Sequence, residues 1–182
     1  MRDFSVSALQ NTCALSAYAA SEGAYMVEIH EAEMADIAEI IKLQRLSYQS
    51  EAKIYNDWSL PALTQTVESL RDEFVNSIVL KAIANDEIIG SVRATMSEGT
   101  CKIGRLIVHP EFQKQGIGSR ILNQIEMLHS HALNFELFTG SKSLRNIRFY
   151  QQHNYSISHT EALAKNISII FMVKANINFM LP

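Results

Sequence analysis

Cysteine is scarce in this chain: Cys13 and Cys101 are the only two among 182 residues. They form no CxxC pair and no histidine cluster stands beside them, which excludes a disulfide-stapled secreted fold and a structural zinc site. Two reduced thiols in a cytoplasmic protein are expected. Excess charge of one sign is also missing. Sixteen Lys plus Arg against nineteen Asp plus Glu give a formal charge of −3, so the broad positive field of a non-specific nucleic-acid binder is absent, as is a basic tail. Long apolar runs are lacking too. The best candidate, Phe4 to Ala20, is interrupted by Gln10, Asn11 and Thr12 well short of a membrane span, and Asp3 beside Arg2 argues against a secretory signal. No lysine follows any of the seven glycines, which disfavours a P-loop and nucleotide triphosphate hydrolysis. His129 and His131 stand two apart near a helix end, a spacing that separates them, so no metal site is expected.

What is present is ordinary globular composition, 47% apolar and 19% charged, in a length suited to a single core. Residues 1–24 are rich in Ala and Ser without a clear period and read as an appendage of unassigned role, with one patterned domain over 25–182. Alternation predicts a strand at Met26–His30. Met34, Ile37, Ala38 and Ile41 then fall at i, i+3, i+4 and i+7, predicting a helix to about Tyr48. A loop holding Glu51, Tyr55, Asp57 and Trp58 follows. A second helix from Pro61 carries Leu63, Val67, Leu70 and Phe74. Strands are expected at Ile78–Ala84, Ile88–Met96 and Cys101–Val108, with turns at Asn85-Asp86-Glu87 and Glu98-Gly99. The second half alternates: a helix from Gly116, a strand at Phe135–Thr139, a helix at about Asn146–His153, and strands near Tyr155–Thr160 and Ile167–Val173. The expected class is α/β (α+β), a single mixed, mostly antiparallel sheet of about seven strands flanked by about four helices.

One stretch carries chemistry, Leu106 through Arg120, a strand, a proline turn and a glycine-bearing helix start. The first amides of a helix lack intrahelical acceptors and sit at the positive end of its dipole, so a phosphate placed there is held. Gly116 and Gly118 permit close backbone approach, and Lys114, Ser119 and Arg120 can add donors. A dinucleotide fingerprint fits poorly, since Ile121 stands where its third glycine belongs. The two glycines could also serve only a tight turn.

The segment Gln113-Lys-Gln-Gly116-Ile-Gly118, behind a strand ending Leu106-Ile-Val108-His-Pro110, resembles the acetyl-CoA signature of the GNAT family of N-acetyltransferases. A second element, Asn146-Ile-Arg-Phe-Tyr150-Gln-Gln-His-Asn-Tyr155, is similar to that family's Phe-Tyr ending. The resemblance spans about Met26 to Lys174. It implies the GNAT fold and an enzyme that transfers an acetyl group from acetyl-CoA to a primary amine by direct attack on the thioester. It further implies that the backbone from Gln113 through Lys114, Gln115, Gly116, Ile117 and Gly118 to Ser119 holds the pyrophosphate. Leu106 and Val108 would make sheet-like bonds to the pantetheine arm, Ser143 or Asn146 would reach that arm, and Tyr150 would act as the acid.

The departures are informative. Some members place a glutamate base on the strand before the signature, but Lys102 stands there and no carboxylate occurs from Cys101 to Val108. Glu51 and Asp57 are replacements by location, and a water chain is equally open. Asn154 replaces a glycine but tolerates left-handed geometry. Tyr150 could instead only pack its ring, Cys101 be a small buried hydrophobe, and His109 be a surface turn residue. The missing base leaves a second reading, a non-catalytic acyl-CoA-binding or interaction module on the same fold. The expected partner is a small-molecule or peptide amine acceptor, and an acidic, aromatic-bearing loop favours a cationic amine over a polyanion. Nucleic acid and membrane are not expected partners, and the C-terminal edge strands are compatible with a homodimer.

Overall fold

The structure, a computed structural model, describes residues 26–164 and 167–177, so the appendage expected at 1–24 lies outside the described residues. After β1 (Glu28–Glu31) a single 3-10 turn at Met34–Asp36 leads into α1 (Ile37–Tyr55). The turn is fixed by the Glu33 amide, which donates to the Asp36 carboxylate at 2.6 Å. The buried stripe of α1 is Ile37, Ile40, Ile41 and Gln44, and Met34 and Ala38 stay outside it. The helix also continues seven residues beyond the expected end at Tyr48. Good helix formers fill Gln49 to Lys53, Ala52 is fully buried, and only Asn56, left-handed at φ 50°, terminates it. Glu51 and Tyr55, expected in a loop, are therefore helical.

The second expected helix is two: α2 (Pro61–Thr64) and α3 (Val67–Phe74). Gln65 turns extended between them, and the Thr66 hydroxyl caps α3 by accepting from the Ser69 amide at 3.1 Å. The described residues thus hold five α-helices where about four were expected. β2 (Ile78–Ala84) and β3 (Glu87–Ser97) are joined by Asn85 and Asp86 alone, both left-handed, a two-residue turn whose twist matches the strands. Glu98 and Gly99 repeat the device into β4 (Thr100–Val108). Then come α4 (Ile117–Leu128), β5 (Asn134–Gly140), α5 (Leu144–Gln152), β6 (Ser156–Ala164) and β7 (Ile167–Ala175).

The strands form one sheet in the order β1-β2-β3-β4-β5-β7-β6, antiparallel except for the β4–β5 pair. On one face α4 buries Ile117, Ile121, Leu122 and Ile125 against Leu80, Val92 and Leu137, each side chain contributing roughly 1.5–3 kcal/mol of transfer free energy. On the other face Ile37, Ile40, Ile41 and Leu70, from α1 and α3, meet Val79, Ile88 and Ile107. Two irregularities position the site. β4 and β5 pair only at Thr100↔Asn134, Cys101↔Phe135 and Lys102↔Glu136, after which they part. β4 also bulges: Gly104 faces Arg93 but Ile107 faces Ser91, and the extra residue, Arg105, is left-handed at φ 52°. For a non-glycine residue that conformation costs about 1–2 kcal/mol.

Candidate active site

The gap between β4 and β5 exposes backbone hydrogen-bonding groups that neither strand satisfies. The His109 amide donates to the Ile89 carbonyl at 2.7 Å, and Ile107 pairs with Ser91. In an antiparallel ladder these residues turn their polar groups toward β3, so Leu106 and Val108 turn theirs into the gap. The Val108 carbonyl already accepts from the Gln113 side-chain amide (3.0 Å) and the Ser47 hydroxyl (3.4 Å). The Gln113 side-chain oxygen in turn accepts from Arg145 at 2.8 Å, a partner that the sequence pattern did not single out.

At the mouth of the gap stands the start of α4. A 3-10 turn at Pro110–Phe112 leads to Lys114 and Gly116, both left-handed, the latter at φ 78° as the residue that opens the helix. The amides of Ile117, Gly118 and Ser119 have no acceptor within the helix. The Ile117 side chain is core, so that residue offers only its backbone. Gly118 is not required by packing: a Cβ there would rest at 3.5 Å from Phe149 and 3.7 Å from Val108, ordinary contacts. The Gln115 side chain bonds the Glu111 carbonyl at 3.3 Å, and Arg120 bonds the Val27 carbonyl at 2.8 Å.

Deeper in, α1 and α5 bring three expected residues together. Glu51 accepts from the Ser143 hydroxyl through one carboxylate oxygen and from the Asn146 amide at 3.3 Å through the other. The Asn146 amide also lies 3.5 Å from the Thr139 hydroxyl. Tyr150 is held close by: burial pushes its phenol well above the ordinary range, and Tyr48 and Glu51 nearby push it further, so it remains protonated at neutral pH. Tyr55 anchors the end of α1, its hydroxyl accepting from the Lys142 amide at 2.7 Å, and a Cβ on Gly140 would collide with that oxygen. Beneath the gap, on the α3 side, a cavity of about 770 Å³ is lined by Glu73, Arg93, Lys102, Gly104, Glu136 and Phe138, among others.

Other expected residues are not brought in. Asp57 spends its carboxylate on the Ser59 amide and hydroxyl at 2.8 and 2.6 Å, and those bonds hold its pKa below the usual value. Trp58 is exposed. His109 accepts from the Glu111 amide at 3.3 Å in its turn. Cys101 is fully buried, which together with Glu126 pushes its thiol up to about 12 and leaves it inert. No group of residues able to hold a metal ion occurs among the described residues, and no described helix is long and apolar enough to cross a membrane.

The profile of the Acetyltransferase (GNAT) domain family matches residues 76–157, from just before β2 into β6. Over that stretch, a little under half of its length, the chain is similar to GNAT acetyltransferase domains. Solved structures agree with the fold. The chain superposes on PaiA N-acetyltransferase from Thermoplasma acidophilum, determined in complex with coenzyme A, with a TM-score of 0.69 at 21% identity, over 82% of this chain and 98% of that one. A GNAT-family acetyltransferase from Streptococcus pneumoniae gives 0.66 at 20% identity, over 82% and 98%. Among curated proteins, the UPF0157 protein YqkA of Bacillus subtilis (strain 168) is 24% identical over 143 residues, 78% of this chain but 41% of that protein. The chain thus spans about two fifths of that relative's length.

Proposed function

We propose that this chain is an acetyl-CoA-dependent N-acetyltransferase acting on a primary amine. The observation that carries the reading is the coincidence of the open β4–β5 gap, the unpaired amides that begin α4, and a buried Tyr150 that feels the anchored carboxylate of Glu51. The donor set fits acetyl-CoA. Helix-start amides with Lys114 suit a pyrophosphate, and the edge groups of Leu106 and Val108 suit the amides of a pantetheine arm. Gly118, which packing does not explain, leaves room for a phosphate to approach. In the reaction a nitrogen–carbon bond forms to the acyl carbon as the carbon–sulfur bond breaks, the ammonium proton leaves first, and the departing thiolate takes a proton. Tyr150, protonated at neutral pH, is the acid, and the Leu106–Val108 amides polarise the carbonyl. Glu51 takes the amine proton, directly or through water. Asn146 and Ser143 hold Glu51 in place.

Titration calorimetry with acetyl-CoA tests the reading. The native protein is expected to bind and the Gly118→Glu protein, with an anion set among the phosphate-binding amides, to lose measurable affinity. Absence of binding by the native protein overturns it. The rival reading, an acyl-CoA-binding module without catalysis, requires tight CoA binding with no thiol release on any amine.

A further inference from the structure

The acidic loop that favoured a cationic acceptor has little free acid to offer. Asp57 is committed to Ser59 and Glu51 to Ser143 and Asn146. A cation without an anionic partner stands close to the gap. Arg105, the bulged residue of β4, lies over the Tyr48 ring with its guanidinium carbon 5.5 Å from the centroid. Its Nε is buried without a hydrogen-bond partner, and no carboxylate among the described residues pairs with it. Arg93, on the facing strand, lies close enough that the two guanidiniums repel. Arg93 has its own anion, Glu73 at 3.0 Å, and a second bond to the Gln65 side-chain oxygen at 3.1 Å. Arg93 therefore has a carboxylate partner and Arg105 has none among the described residues. Arg105 is part-exposed and only its Nε is shielded, so the rest of its fork is open to a ligand, with parallel donors shaped for a carboxylate.

The placement matters as much as the charge. Gly104 and Arg93 line the cavity beneath the gap, Leu106 turns its backbone into the gap, and Tyr48 lies between Arg105 and the surroundings of Tyr150. An acceptor whose amine reaches the acyl carbon brings its other end against this cluster. We propose that the acceptor carries a carboxylate besides its amine, as an amino acid does, and that the Arg105 guanidinium recognises that carboxylate. The proposal rests on the acetyl-transfer reading for the position of the amine, but not for the existence of the carboxylate site. Arg93 is the positioning residue: clamped to Glu73 and Gln65, it limits where Arg105 can go.

The test uses matched amine pairs, glycine, β-alanine and 4-aminobutyrate against their carboxamides, read as kcat/KM by thiol release. Because amidation also alters the amine's own basicity, the deciding quantity is the carboxylate-to-amide ratio in the native protein divided by that in Arg105→Gln. A charge-assisted pair predicts a quotient of roughly ten to a hundred for at least one length. Arg105→Lys, which keeps the charge without the fork, is expected to fall between and stands in should Arg105→Gln fail to fold. A quotient near one at every length overturns the proposal, and means that Arg105 is satisfied by water. Acetyl-CoA calorimetry reports on the acetyl-transfer reading separately. If no amine turns over, the same pairs are titrated as ligands: binding of a carboxylate member lost in Arg105→Gln supports the site, and equal binding of both members overturns it.

Discussion

Among single residues, Tyr150 combines burial with proximity to an anchored carboxylate, which keeps its phenol protonated, as the acid role we propose for it requires. Tyr150→Phe removes only that hydroxyl. It is expected to lower kcat by roughly a hundredfold or more while acetyl-CoA affinity changes little, as stopped thiol-release assays and calorimetry measure. Because the folded-state value is raised, the protonated form persists past the ordinary phenol range near ~10, so the native rate should show no alkaline fall through that range. A fall there would assign the acid elsewhere. Tyr150 and the Gln113–Gly118 run could be singled out in the sequence as candidates because they occur in fixed local order. Arg105 was not: a left-handed arginine inside a strand leaves no trace in alternation, and its importance lies in partners it lacks. Glu51 was legible only as a neighbourhood. What makes it specific, donors from Ser143 and Asn146 some ninety residues away, is tertiary.

At the scale of elements, most strands and helices follow from periodicity, and the failures have physical reasons. The stretch from Pro61 to Phe74 keeps a helical apolar spacing across Gln65 and Thr66, so pattern alone merges α2 with α3. The break is set by a polar network. Gln65 accepts from Gln44 at 3.0 Å and from Arg93 at 3.1 Å, and donates to Glu73 at 2.6 Å, a geometry for which its backbone leaves the helix. Thr66 then restarts the helix as a cap. Thr66→Ala is expected to cost about 1 kcal/mol in urea unfolding. A neutral result would mean that the network alone holds α3. The end of α1 was misjudged for the converse reason: polar Gln49, Glu51 and Lys53 read as loop but are good helix formers.

For the whole molecule, the net charge of −3 is compatible with a phosphorylated co-substrate because the positive potential is local, in helix-start amides, Lys114 and the paired arginines. The two ends of the sheet are unequally supported. Helices cover both faces of β2–β4, whereas β6 is exposed from Ser156 through Leu163. Native-state hydrogen exchange should therefore show β5–β7 amides opening together at lower free energy than those of β2–β4, with acetyl-CoA raising protection on both banks of the gap. Uniform exchange across the sheet would contradict this.

The short β4–β5 pairing also has a mechanical meaning. Force applied between the outer strands β1 and β6 passes in series through every junction of the sheet, and β4–β5, with three residue pairs, is the narrowest of them. The sheet is expected to yield first at this gap, so tension across the domain would open the proposed acetyl-CoA cleft before it unfolds the protein.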